Sequence, residues 1–196
     1  MSAFNIEVEG GTSVFLPTAG KYCDRDIVVT ATGGSTGGVS KLPQVVNKSV
    51  TEITAEDLDG ADKISSYAFY ACGEMTKIVF PESVKYVYPN AFTSCFKLKE
   101  LVMNEGLEKI FGSAFTWCTA LEEITIPSTV VYIDTFAFSN NEKLKRVIVR
   151  ATTPPLLESV NFWDATEIIV PRGTREAYVN ATNWSELADK IVEGDV

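Results

Sequence analysis

The chain has 196 residues, 45% of them hydrophobic and 22% charged, with 26 acidic against 17 basic side chains and a net charge of -9. That is ordinary globular usage, but the acidic balance argues against nucleic acid and anionic membranes, both of which call for Lys and Arg, and no apolar run of about 18 residues exists to span a bilayer. There is no histidine, so nucleophile–histidine pairs, histidine-ligated zinc and the usual general base near neutral pH are excluded.

The stretch 1–11 has neither a charged n-region nor an apolar h-region, so no secretory signal is expected there. Residues 1–32 read as a small β unit. Ile6-Glu7-Val8-Glu9 alternates, Gly10-Gly11 turns the chain, Ser13 to Leu16 follows, and Asp26 to Thr30 is rich in β-branched residues. So small a unit buries too little surface to be stable alone and leaves strand edges unpaired. It is expected to pair with the rest of the chain or with copies of itself, which makes homo-oligomerisation through residues 1–32 a candidate. Residues 33–40, containing Gly33-Gly34-Ser35-Thr36-Gly37-Gly38, form a flexible linker and the one domain boundary. The remainder, 41–196, is read as one solenoid domain with caps at both ends.

Residues 41–63 are an irregular first rung. Val50 to Ile53 can form an edge strand, and Thr54 with Asp57 resembles a capping box opening a short helix through Leu58, stopped by Gly60. Beyond it, Ala-Phe recurs at 68, 91, 114 and 137, each copy 23 residues after the last. Ile64, Val87, Ile110 and Ile133 precede it by four residues, and Cys72, Cys95 and Cys118 follow the first three copies by four. Fixed self-similarity at this period is the mark of stacked repeats. Met75 to Phe80, Leu98 to Met103, Leu121 to Ile126 and Leu144 to Val149 carry an L-x-x-I-x-I pattern, which reads as short strands with alternate residues inward. In register they make a parallel ladder, with Pro81 and Pro127 closing two strands. The Ala-Phe segments form the opposite wall, with Phe69, Phe92, Phe115 and Phe138 filling the core.

The fourth position of the cysteine column is Asn141. A column that accepts Cys or Asn calls for a small side chain under a turn, so Cys72, Cys95 and Cys118 read as structural thiols rather than a disulfide set. No C-x-x-C spacing supports a metal. Residues 150–171 are a degenerate last rung, with Phe162 and Trp163 in the aromatic role and Ile168 to Pro171 as the last strand. After Gly173, helical patterns over 174–179 and 185–192 align Tyr178, Trp184, Leu187 and Ile191 as an apolar stripe, a C-terminal helical cap.

Together these segments resemble the BspA-type leucine-rich repeats. The resemblance covers roughly 50–192, including Tyr178-Val-Asn-Ala-Thr-Asn-Trp184. It implies an α/β leucine-rich-repeat solenoid used as an adhesive or ligand-binding surface in bacteria, phages and some protozoa. Leu16 to Thr30 is similar to short β modules in tail and appendage proteins of phages and prophages of Gram-positive bacteria. The expected function is therefore that of a non-enzymatic, tail-associated adhesin, made in the cytoplasm and extracellular after lysis, with a protein or glycan ligand and no cofactor. A bacterial surface or secreted adhesin is the alternative. A carbohydrate-active protein working through carboxylates alone is a third, although no convergent acidic pair stands out.

Departures from consensus mark the candidate binding surface. The column after the repeated Ile, commonly Gly in the family, reads Ser65, Tyr88, Phe111, Asp134. Tyr88 and Phe111 on adjacent rungs make an aromatic strip, flanked by Tyr86 and Tyr132 with Lys109 between them, and Trp117 replaces a small residue. Exposed rings on a rigid frame suit recognition; alternatively the rings fold over neighbouring rungs and thicken the core. The second candidate is the outward strand column Lys77, Glu100, Glu123, Arg146, beside the row Val79, Val102, Thr125, Ile148.

Overall fold

The computed structural model describes residues 51–196 and the backbone of two short strands near the N-terminus. Those two, β1 (Asn5–Val8) and β2 (Thr12–Phe15), pair antiparallel with Ile6 opposite Val14, as the alternation and the Gly pair require. The expected strand at 26–30, Cys23 and the linker lie outside the described residues.

From residue 51 the chain winds as a three-walled solenoid. The first wall carries seven short parallel strands in two runs. One run is β3 (Glu52–Ile53), β5 (Lys77–Val79) and β7 (Glu100–Val102); the other is β9 (Glu123–Ile126), β11 (Arg146–Val149), β13 (Glu167–Pro171) and β14 (Ile191–Gly194). Each strand stacks in register on the equivalent residues one rung away, as Lys77, Ile78 and Val79 do on Glu100, Leu101 and Val102. The ladder is interrupted between β7 and β9. Along the outward column Glu52, Lys77, Glu100, Glu123, Arg146, Glu167, this is the one junction where like charges occupy equivalent positions, a destabilising arrangement for cross-strand neighbours.

The second wall is a five-strand parallel ladder of two-residue strands, β4 (Lys63–Ile64), β6 (Tyr86–Val87), β8 (Lys109–Ile110), β10 (Tyr132–Ile133) and β12 (Leu156–Leu157). Its second residue is buried in every copy.

The third wall is made by the Ala-Phe segments, which are not strands yet bond rung to rung. The Phe69, Phe92 and Phe115 amides donate to Ala91, Ala114 and Ala137 carbonyls at 2.8 Å each. The reason is a doubly left-handed backbone: the residue before each Ala (Tyr67, Asn90, Ser113, Phe136) and the residue three after it (Ala71, Ser94, Trp117, Asn140) have φ between 56° and 65°. Every second amide points along the solenoid axis, as those of Tyr67, Phe69 and Ala71 do to the Pro89, Ala91 and Thr93 carbonyls, so the wall satisfies its backbone without pleated strands.

Between the walls the phenylalanines form one column. Ring centroids of Phe69, Phe92, Phe115 and Phe138 are 5.0, 5.0 and 5.1 Å apart and nearly parallel, and the column continues through Phe162 to Trp184 at 5.5 and 5.8 Å. This spacing is that of stacked strands, about 4.8 Å, so one aromatic per rung fills the core without gaps. Gly106 turns the chain at φ 114°, where a Cβ would lie 2.7 Å from the Glu82 carbonyl.

The ends differ from the sequence expectation. The capping box at Thr54 closes through Asp57, whose carboxylate accepts from the Thr54 amide at 2.8 Å and hydroxyl at 2.6 Å, but only one 3-10 turn follows, Glu56–Leu58. At the C-terminus α1 (Arg175–Asn180) forms as expected, whereas 185–192 does not make a helix. Ser185–Leu187 is a single 3-10 turn, and Ile191–Gly194 is β14, paired parallel with β13. The strand ending at Pro171 is thus not the last. The free edge of β13 outcompetes a helix too short to stand alone. The stripe is still apolar and inward, for Tyr178, Trp184, Leu187 and Ile191 are all buried.

Candidate functional site

The second wall brings four rings together. Tyr86, Lys109 and Tyr132 are register partners on β6, β8 and β10, and Tyr88 and Phe111 follow two residues after each first strand position. Tyr88 and Phe111 stack at 5.1 Å and 24°; Tyr86 meets Tyr88 edge-on at 6.5 Å, and Phe111 meets Tyr132 at 6.0 Å. All four are half-buried. The rings rest on one another as a continuous strip and stay partly exposed, an outcome between the exposed patch and the thickened core.

Charge frames the strip. The Tyr86 hydroxyl donates to Glu108 at 3.2 Å, and that carboxylate holds the phenol proton above its ordinary value. Tyr132 is pushed the same way, by burial first and then by Asp134 and Glu158. Both hydroxyls stay protonated donors at neutral pH. Lys85 lies 3.4 Å from Glu108.

Trp117 is not part of this strip. It sits on the third wall, left-handed at φ 62° and exposed. The outward strand column is also apart, on the first wall, and its members pair across strands: Lys77 with Glu100 at 2.6 Å, and Arg146 with Glu123 at 2.9 Å and Glu167 at 3.3 Å. Solvent-exposed pairs of this kind contribute about 0 to 1 kcal/mol each. Next to them Glu122, Glu123, Glu142, Lys143, Lys145 and Arg146 line a shallow open groove.

A glycosidase-type acid has a raised pKa; among the described residues the three carboxyls that are shifted, Glu105, Glu193 and Asp195, move down. Burial raises Glu105, but hydrogen bonds from Ser128 and Thr129 and the Arg150 charge together outweigh it; Glu193 is lowered by the Arg175 amide and Asp195 by the Arg172 guanidinium. Among the described residues no three His, Cys, Asp or Glu side chains are grouped to hold a metal, and no helix is long and apolar enough to cross a membrane.

The cysteine column lies beneath the third wall. Cys72, Cys95 and Cys118 are buried thiols without a disulfide. The Cys95 thiol donates to the Phe69 carbonyl at 3.2 Å and Cys118 to that of Phe92 at 3.3 Å, while the Asn141 amide does the same for Phe115 at 3.0 Å. Each thus satisfies a carbonyl one rung back. Hydrogen bonding with Cys118 and then burial push the Cys95 thiol well above its ordinary value, so it is not a nucleophile.

Sequence reasoning placed the Ala-Phe wall and singled out Trp117 on it, but missed the other exposed rings there. The described aromatics that are truly exposed are Tyr67, Tyr70, Phe96, Trp117, Phe136 and Trp163, and all lie on Ala-Phe segments or their direct continuations. The signal was present: Tyr67, Trp117 and Phe136 share columns with Asn90, Ser113, Ser94 and Asn140, and asparagine tolerates a left-handed backbone far better than an aromatic residue does.

A stacked parallel ladder built around one aromatic column defines a repeat scaffold. The chain belongs to the BspA-type leucine-rich repeat family, whose model matches six copies over residues 46–167. Among solved structures it is similar to the pneumococcal vaccine antigen PcpA, at 15% identity and TM-score 0.55 over 78% of this chain and 46% of that one. A leucine-rich repeat protein from Bacteroides ovatus ATCC 8483 is similar at 21% identity and TM-score 0.49, over 87% of this chain and 58% of that one. The chain therefore spans about half the length of the pneumococcal structure, and at such identities the likeness is one of fold. No protein of curated function matches the sequence.

Proposed function

We propose that this protein is a non-enzymatic binding component of a phage or prophage tail, with the solenoid as its recognition domain and residues 1–32 as its attachment module, acting on the virion after lysis. The observation that carries the binding half is the strip Tyr86–Tyr88–Phe111–Tyr132: four rings in unbroken contact on a rigid ladder, with two phenol hydroxyls available as donors. Pre-ordered rings bind with little loss of side-chain freedom. The tail assignment is supported by the likeness of residues 16–30 to tail modules.

Two measurements test the reading. Fluorescently labelled full chain should adhere to Gram-positive cells, and the double variant Tyr88→Ser/Phe111→Ser should reduce adhesion at least tenfold while melting cooperatively. Adhesion untouched by that variant would remove the strip from the function. Antibody against the solenoid should decorate the tails of induced particles; decoration of the host cell wall in their absence would replace the tail with a bacterial surface protein.

A further inference from the structure

The third wall has a composition unlike the rest of the molecule. Segments 66–72, 89–95, 112–118 and 135–141 contain no Asp, Glu, Lys or Arg, in a chain that is 22% charged. Charge returns at once beyond them, where Glu74 and Lys97 pair at 2.7 Å, and at Asp164 on the irregular last rung. The outward positions of these segments are Ser, Thr, Asn, Gly, Pro, Ala and aromatic residues.

The aromatics are also placed against local preference. Tyr67, Trp117 and Phe136 have φ of 62°, 62° and 59°, a conformation that bulky side chains avoid. Their exposures are 45%, 45% and 56%, so core packing does not explain them. The left-handed backbone belongs to all four rungs; what packing leaves unexplained is that bulky exposed rings occupy it at these three positions, and such outliers gather at functional sites. Around the rings, Thr93 and Thr116 are fixed by their hydroxyls, which donate at 2.6 Å to the Ser113 and Phe136 carbonyls of the following rung.

We infer that this wall is a second binding face, independent of the Tyr88 strip, and that its ligand is an uncharged polysaccharide. The lack of any charge gives neither a polyanion nor a polycation a partner. A protein contact of this breadth would be expected to include arginine, and the wall has none. Sugar rings present apolar C–H faces that lie flat on aromatic rings and hydroxyls that exchange hydrogen bonds with Ser, Thr and Asn. Rungs repeat about every 4.8 Å, so Tyr67 and Phe136, three rungs apart in one column, are separated by about 14 Å along the solenoid axis, with Trp117 in the neighbouring column on a rung between them; an extended chain of a few hexoses can span the three rings.

The test is affinity electrophoresis of the full chain in gels containing dextran, amylose or galactomannan, with hyaluronate and heparin as charged controls. The variant Tyr67→Asn/Trp117→Ser/Phe136→Asn installs residue types that the same two columns already hold. We expect retardation by at least one neutral polysaccharide, at least a tenfold loss of it in the triple variant, and an unchanged or higher melting temperature because strain is relieved. Retardation by none of the neutral gels, retardation only by the charged ones, or a triple variant that binds like the unmodified chain would overturn the inference. So would equal loss in Tyr88→Ser/Phe111→Ser, which would assign the sugar to the strip, or a triple variant that melts lower, which would return the rings to packing.

Discussion

Asn141 stands where three earlier rungs carry cysteine. Its amide nitrogen donates to the Phe115 carbonyl at 3.0 Å, as the thiols of Cys95 and Cys118 do to Phe69 and Phe92. Its oxygen, however, is buried with no hydrogen-bond partner. A thiol brings the donor without that second polar atom, and leaving a buried acceptor unmet costs about 1 to 3 kcal/mol. Asn141→Cys is therefore expected to raise stability by about 1 kcal/mol, read as a higher urea midpoint with an unchanged slope. A lower midpoint would mean that the asparagine oxygen has a partner in solution. This column was legible in the sequence because one small donor per rung leaves a 23-residue mark. The left-handed columns were not, because a backbone angle leaves its trace only through the residues it tolerates, and here Tyr67, Trp117 and Phe136 override that trace.

At the scale of elements, the instructive case is the C-terminal cap. Leu187 and Ile191 lie four residues apart, a spacing that suits a helix face, and both are buried; their inwardness could be read from the pattern, but not the strand. β14 forms because β13 presents unpaired amides and carbonyls, and Ile191 and Val192 fall into register with Ile168 and Ile169. It is locked from both sides: Arg175 donates to the Ile191 carbonyl at 2.9 Å and Arg172 meets Asp195 at 2.8 Å. The helical part closes the core instead, with the Tyr178 hydroxyl on the Ala151 carbonyl at 2.7 Å and the Trp184 indole on that of Pro155 at 2.8 Å. Truncation after Asp189 should therefore do more than trim a tail. Losing buried Ile191 alone removes about 1.5 to 3 kcal/mol, and the bared β13 edge invites pairing with another chain. The truncated protein should melt earlier and show larger species by light scattering. If it stays monomeric with an unchanged midpoint, the helical turns are the true stopper and β14 is incidental.

For the whole molecule, stability is a sum over rungs and the interfaces between them, because each rung touches only its neighbours. That makes its response to deletion depend on register rather than on length removed. Deleting 88–110 joins Val87 to Phe111, and Val87 is the register partner of Ile110, so the new junction reproduces an existing one. It keeps the column with Phe69 facing Phe115, and it also removes β7, the strand at which the first wall is interrupted, leaving β5 to pair with β9. The shortened chain should fold cooperatively, with a lower midpoint only because one interface is gone. Deleting Glu122 alone removes one residue and one charge, yet it displaces every later inward position of that strand, and a one-residue slip sends Ile124 and Ile126 to the surface. That variant should unfold or aggregate. Circular dichroism and urea melting of the two deletion variants decide the matter: a stable single-residue deletion beside an unfolded 23-residue deletion would contradict register-based stacking and with it the physical account of this solenoid.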